Sequence, residues 1–298
     1  MAAEKVTVRT AAGRQLDALA IGPREAPVVV LHNGTPAGLV ECPPLAEAAA
    51  GRGLRLVLYS RPGYGGSTPD PGRRVADAAA DVAAVLDGLG VARFVTVGWS
   101  GGGPHALACA ARLPGRCTAA ATMAGVAPYP AEGLDWMHGM GAENIGEFRA
   151  ALAGAEALTS FLEPAAREMA AVTGADVAAG LGDLVSAADK AAVTGEFADY
   201  LAASFRAAVA GGVAGWRDDD LAFTTDWGFT MAEAGQGAPV AVWQGDQDMM
   251  VPWPHGQWLA AQVPGARAHL LPGEGHLTLV HTFGAILDDL LDMAGRPG

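Results

Sequence analysis

Gly98-Trp99-Ser100-Gly101-Gly102 decides how this chain is read. Ahead of it, Arg93-Phe94-Val95-Thr96-Val97 is apolar and β-branched, the pattern of a buried strand, and Pro104 to Leu113 behind it reads as a helix. A strand that becomes a helix across five residues must turn very sharply. The serine backbone is strained, its Oγ stands clear of the sheet, and a side chain two residues to either side would collide. Gly98 and Gly102 meet that demand. The pentapeptide alone is a weak signal: with 41 glycines, chance supplies such a match in about one chain in ten. The strand–turn–helix setting gives it weight.

Working outward, the same setting recurs. Pro27-Val28-Val29-Val30-Leu31 is a second buried-strand run and opens onto His32-Asn33-Gly34-Thr35-Pro36. Pro239-Val240-Ala241-Val242-Trp243 leads to Gly245-Asp246-Gln247-Asp248, and Ala268-His269-Leu270-Leu271 leads to Gly273-Glu274-Gly275-His276-Leu277. A serine, an acid and a histidine therefore each follow the C-terminal end of a predicted strand, where an open parallel sheet gathers its ligands.

Lys5–Thr10 and Gln15–Ala20 flank a Gly-containing turn and read as a hairpin. Strands are then predicted at 27–31, 54–60, 93–98 and 117–123, alternating with helices at 42–52, 73–89 and 101–113. Such alternation means a parallel sheet covered on both faces, an α/β fold. The helix at 73–89 sets Val75, Ala79, Val82, Val85, Leu86 and Leu89 inward, with Asp77, Asp81 and Asp87 outside. Residues 131–226 are alanine-rich, helical in spacing and without a strand-like run, and are expected to form a helical cap. The core is assigned to 1–130 and 227–298, with strands at 239–243 and 267–271 and helices at 254–263 and 277–293.

The chain resembles the α/β-hydrolase family, closest to the small cap-bearing serine hydrolases whose oxyanion loop reads H-G-T-P and whose histidine loop reads G-x-G-H-L. The order serine, acid, histidine is that family's order, and Gly63-Tyr64-Gly65-Gly66-Ser67 resembles its G-x-G-x-S loop. One departure is that Asn33-Gly34, preceded by His32, replaces the usual His-Gly pair. The resemblance implies a triad of Ser100, Asp248 and His276, with Asp248 preferred over Asp246 because G-x-x-D places the acid three residues after Gly245. Asp246 is expected to cap the turn.

The chemistry follows from the residue types. Serine at its free pKa is a poor nucleophile and needs an adjacent base; His276 is the candidate base and Asp248, by the family's motif, the candidate carboxylate that holds its tautomer. The amides of Gly101, at the start of a helix, and of Thr35 are the candidate oxyanion donors. Trp99, Gly34 and Met249 are the candidate substrate contacts, with Trp136, Met137, Met140, Phe161 and Trp227 as further candidate walls. Of the remaining histidines, His255 is expected to be an exposed helix residue, His32 to support its loop and His105 to lie in the core. His281 is expected at the surface or against the cap, and His138 and His269 have no distinguishing context. Asp218-Asp219-Asp220 reads as a solvated acidic helix start.

The expected activity is hydrolysis of an ester, thioester or lactone of a small, largely apolar molecule. The alternatives are a proline-iminopeptidase-like aminopeptidase, with Glu143, Glu147 or Glu163 capturing the substrate amine, or a C–C bond hydrolase. A non-catalytic receptor on the same fold is the competing class. Elbow serine argues against epoxide hydrolase and haloalkane dehalogenase chemistry, for which the family uses aspartate. A net charge of −13 argues against nucleic acid and anionic membrane as partners, leaving a small-molecule substrate. No metal-ligand spacing or nucleotide-binding loop appears, so no metal and no cofactor is expected. Cys42, Cys109 and Cys117 lack a disulfide framework, no signal peptide or 18-residue apolar run is evident, and a cytoplasmic location is expected.

Overall fold

A computed structural model describes residues 3–295. One sheet contains the strands β1 (Ala3–Arg9), β2 (Gln15–Ile21), β3 (Val28–His32), β4 (Arg55–Tyr59), β5 (Phe94–Trp99), β6 (Cys117–Met123), β7 (Val240–Gly245) and β8 (Arg267–Leu271). Their spatial order is β1-β2-β4-β3-β5-β6-β7-β8, antiparallel at β1/β2 and β2/β4 and parallel elsewhere. The strand order reverses between β3 and β5, so their C-terminal ends open a crevice where neighbouring connections diverge to opposite faces.

Both faces of the sheet are covered, by helices α1 (Pro43–Ala50), α2 (Ala78–Gly88), α3 (Gly103–Arg112), α10 (Met231–Gly237), α11 (Trp253–Gln262) and α12 (Phe283–Met293). The period-2 alternation of strands explains how. On β3, Val28 and Val30 pack in one cluster with Val82, Leu86 and Leu107, while Val29 and Leu31 pack in the other with Leu45, Ile286 and Leu287. Every residue of β3, β4 and β5 is buried, which is why these strands read as unbroken apolar runs. Fully burying each such Val or Leu contributes about 1.5–3 kcal/mol.

Between β6 and β7 lie α4 (Ala142–Ala153), α5 (Ala155–Met169), α6 (Gly174–Gly180), α7 (Ala187–Ala192), α8 (Gly195–Val209) and α9 (Ala214–Phe223). No strand occurs in this interval among the described residues. The segment is tied to the sheet half at specific points. The Gly38 N–H donates to Ser204 O at 3.0 Å, and Tyr64 packs with Leu158, Leu162 and Trp216. No helix among the described residues is long and apolar enough to cross a membrane.

Several expectations need correction. The helix expected at 73–89 begins with a short 3-10 turn at Val75–Asp77, because the Asp77 carboxylate accepts from Arg74 N and caps the start. Asp81 is buried and not outside: Arg14, from the β1–β2 turn, donates to its carboxylate at 2.6 Å. The helix α10 was not anticipated, although Thr230-x-x-Glu233 forms a capping box there. His255 is fully buried. Its Nδ1 accepts from Ala127 N at 3.1 Å and its Nε2–H donates to Trp136 O at 2.8 Å, stitching the chain that leaves β6 to α11.

Burial pulls the His255 pKa down to about 4, outweighing the Trp136 hydrogen bond and Asp248, which raise it. A depressed histidine stabilises the fold fully above its unfolded pKa of about 6.5, and this contribution is lost as pH falls from there toward the folded value. His255→Ala leaves two buried backbone groups unsatisfied and should cost about 2–4 kcal/mol at pH 7. The variant should also lose part of the wild-type rise in stability between pH 4 and 6.5. Melting curves across that range measure both; parallel curves for the two proteins would contradict this role.

Candidate active site

Ser100 sits at the turn between β5 and α3 with φ +56°, a left-handed conformation that a residue with a side chain rarely adopts. The reason is crowding. A Cβ at Gly98 would overlap the Gly102 carbonyl, and one at Gly102 would overlap the His32 carbonyl. With His32 paired to Gly98 in the sheet register, the turn is pressed against the end of β3. That pressing also brings the loop after β3 to the serine: a Cβ on Gly34 would lie 3.3 Å from Ser100 Cβ and 3.8 Å from its Oγ.

Thr35 and Gly101 are adjacent, since a Cβ on Gly101 would meet Thr35 Oγ1 at 2.5 Å. The loop carrying them is held from below by Arg61. Its guanidinium donates to Asn33 O at 2.6 Å, to Gly34 O at 2.8 Å and to Thr35 Oγ1 at 2.9 Å. Asp219 completes the network, accepting from Arg61 at 2.6 Å, from Thr35 Oγ1 at 2.9 Å and from Tyr64 OH at 2.9 Å, with Arg73 at 2.8 Å. Burial would raise the Asp219 pKa, but Arg61 and Arg73 hold it well below the usual carboxylate value. Burial also lowers the neighbouring His105 to about 4, leaving it neutral 3.7 Å from Asp219.

His276 lies on the loop after β8 and is buried with Asp248. Its Nδ1–H donates to Asp248 Oδ2 at 2.8 Å. Every other lone pair of Asp248 that points into the protein is used: Gln244 Nε2 donates to Oδ2 at 3.0 Å, and the Met250 and Val251 amides donate to Oδ1 at 2.9 and 2.8 Å. Burial alone would lower the His276 pKa, but Asp248 and then Asp189 carry it above the ordinary histidine value. Asp246 is exposed instead and accepts from Gly273 N at 2.8 Å, joining the two loops.

Ser100, His276, Trp99, Gly34, Thr35 and Gly101 all line one cavity of about 890 Å³. The Trp99 ring stacks on His276 at 6.3 Å and its Nε1–H donates to His276 O at 3.3 Å. Met249 does not line the cavity. The turn that Asp248 holds aims Met250 and Val251 inward, while Met249 O accepts from Gly141 N. Of the further candidate walls, Phe161 lines the cavity, and Trp136, Met140 and Trp227 are core residues outside it. His32 is buried at the end of β3, its Nδ1 accepting from Tyr59 OH at 3.4 Å, and among the described residues its side chain makes no hydrogen bond to the loop that follows.

Asp218, Asp219 and Asp220 are buried and do not form a solvated helix start. Successive residues on a helix point about 100° apart, so each meets a different neighbour: Arg217, the Arg61–Arg73 pair and Glu147 respectively. Asp220 and Glu147 both line the cavity. Burial raises the pKa of each, and each lies in the other's field; Trp216 Nε1–H donates to Glu147 at 2.7 Å. No group of three or more His, Cys, Asp or Glu side chains suited to a metal ion occurs among the described residues.

Residues 27–281 match the family model for the alpha/beta hydrolase fold, and the chain belongs to that family. It is 33% identical over 149 residues to a non-heme chloroperoxidase from Streptomyces lividans, spanning 49% of this chain and 54% of that one. It is 36% identical over 108 residues to a bifunctional esterase/perhydrolase from Acinetobacter calcoaceticus, spanning 36% of this chain and 39% of that one. The chain thus matches about half the length, or less, of these curated relatives. Among solved structures, an alpha/beta hydrolase fold protein from Nakamurella multipartita is similar with a TM-score of 0.68 and 26% identity, covering 98% of this chain and 100% of the other.

Asp219→Asn keeps the shape of the buried network and removes its charge, leaving Arg61 and Arg73 uncompensated. It should cost about 3–5 kcal/mol, a fall in melting temperature of roughly 6–15 °C. Thermal unfolding measures this; an unchanged melting temperature would show that the network is not what holds the loop after β3.

Proposed function

We propose that this protein is a serine hydrolase that cleaves an ester, thioester or lactone of a small, largely apolar molecule through an acyl-enzyme. The observation that carries the reading is the buried 2.8 Å bond from His276 Nδ1–H to Asp248, in the same cavity as a strained elbow serine. It fixes the tautomer that leaves Nε2 free to accept a proton. Ser100 Oγ attacks the carbonyl as His276 Nε2 takes its proton. The amides of Gly101 and Thr35 donate to the oxyanion; Thr35 N–H has no acceptor among the described residues. Collapse of the tetrahedral species, with the proton returned from Nε2, expels the alcohol, thiol or ring oxygen. Water, deprotonated by His276, then releases the acyl group. The mostly apolar cavity walls support an apolar acyl or alcohol part, and the helical segment serves as the lid that excludes water.

A fluorophosphonate probe should label Ser100, and Ser100→Ala should abolish labelling and lower ester turnover by roughly 10³-fold or more with the fold intact. His276 must be neutral to act as base. Because its pKa is raised, kcat/KM should rise with pH through a limb above about 6.5. Near wild-type turnover in the alanine variant, or no labelling of the wild type, would overturn the reading in favour of another nucleophile or a non-catalytic receptor.

One observation favours a second reading of the substrate, as an amine-bearing molecule cleaved by an aminopeptidase. Glu147, Asp220 and Glu143 bring carboxyl groups to the cavity lining, and Glu163 does not. If a substrate amine binds there, Glu147→Gln should raise KM for amine-bearing esters about tenfold and leave neutral esters unaffected. Equal effects on both substrate types would remove this reading.

A further inference from the structure

The loop that carries His276 is held by a carboxylate from the helical segment, far away in sequence. Asp189, on α7, is fully buried. Its Oδ2 accepts from His276 N at 3.0 Å, and its Oδ1 accepts from Leu277 N at 2.6 Å and Thr278 N at 3.0 Å. Ser186 Oγ donates to Oδ2 at 3.1 Å and accepts from Asp189 N, which orients the carboxylate from its own side. These three amides lead into the 3-10 turn Thr278–Thr282, and none of them donates to a backbone carbonyl among the described residues. The seat is shaped for this one group: a Cβ at Gly275 would overlap the Asp189 carboxyl, and Gly275 N donates to Thr278 Oγ1 at 2.7 Å.

We propose that Asp189 is a positioning residue for the reaction: by gripping the amides of His276, Leu277 and Thr278 it sets the base in place, so the base is in register only when α7 is docked. The inference rests on the serine-hydrolase reading of the site. Two bonds then fix the imidazole, one through its backbone to Asp189 and one through Nδ1 to Asp248, and they pull from different elements. The grip contributes charge as well as position. The groups that act electrostatically on His276 are Asp248, which is dominant among those that raise its pKa, and Asp189. A negative charge against the loop favours the imidazolium formed at each proton transfer. Opening of the segment at α7 would release the grip and disarm the site, while closure over substrate restores it.

The test uses Asp189→Asn in the full chain. The amide has the same shape, but its NH2 group cannot accept from a backbone N–H and the charge is gone. Expected are a fall in kcat of about 10- to 100-fold, KM changed less than threefold, and an acid limb of kcat/KM shifted to lower pH. A residue that serves the fold alone would not move that limb. A folded variant with kcat within twofold of wild type, or with reduced kcat and an unmoved limb, overturns the proposal. Should the variant fail to fold, native-state hydrogen exchange on the wild type decides. The amides of residues 276–278 are expected to be protected and to open together with 187–192; exchange at the rate of a free loop overturns the proposal. Ser100→Ala run in parallel separates the two failures. If it retains activity, the serine reading falls; if it is inactive while Asp189→Asn is fully active, only the positioning role falls.

Discussion

The crowding at the β5–α3 turn is the constraint on which the site depends. Backbone meets backbone there: the turn allows no side chain at Gly98 or Gly102 and drives Ser100 to φ +56°. A serine hydroxyl on an ordinary strand or helix would lie along the element's surface. The forced turn instead stands it at the crevice between β3 and β5. The same close approach brings Gly34 and Thr35 against it, so the candidate nucleophile and the candidate oxyanion donors are set by one packing event.

Three buried aspartates organise the loops around that serine. Asp219 holds Arg61 under the loop after β3, Asp248 holds the His276 ring, and Asp189 holds the His276 backbone. Each answers a specific deficit, a buried guanidinium, an imidazole N–H or a set of unpaired amides. A carboxylate satisfies these better than a neutral acceptor does, because its hydrogen bonds are charge-assisted. Asp219 and Asp189 both come from the helical segment between β6 and β7, so that segment supplies two of the struts beneath the candidate site. The sizeable negative charge of the chain is thus partly spent inside, opposite arginines and amides, and not only on the surface.

What the sequence revealed and what it hid divide along physical lines. Strands β3 to β6 and the elbow were legible because their pattern is local: unbroken apolar runs, a β-branched bias and glycines at fixed spacing. The pairing of Asp248 with His276 was reachable because each follows a strand and the strands share an end. Asp189 was not reachable. It lies on a short alanine-rich helix, and its partners are backbone amides, which leave no mark in a sequence. Asp219 was misread for a related reason. Three consecutive aspartates look like a solvated face until the folded chain brings Arg61 and Arg73 beneath them. His255 and Asp81 show the same gap, since burial of a polar side chain depends on a partner distant in sequence. Met249 was misplaced because the turn geometry set by the Asp248 hydrogen bonds decides which neighbour faces the cavity. The α10 helix carried a readable capping box at Thr230 and Glu233, and attention to it recovers the element.

The central claim is that Ser100 becomes covalently acylated during turnover. Rapid acid quenching of the protein with a slowly turned-over ester, followed by intact-mass and peptide mass spectrometry, tests it directly. The account predicts a mass increase equal to the acyl group, carried by the peptide containing Ser100 and absent from the Ser100→Ala protein. Steady turnover with no acyl adduct, or an adduct on a different residue, would contradict it.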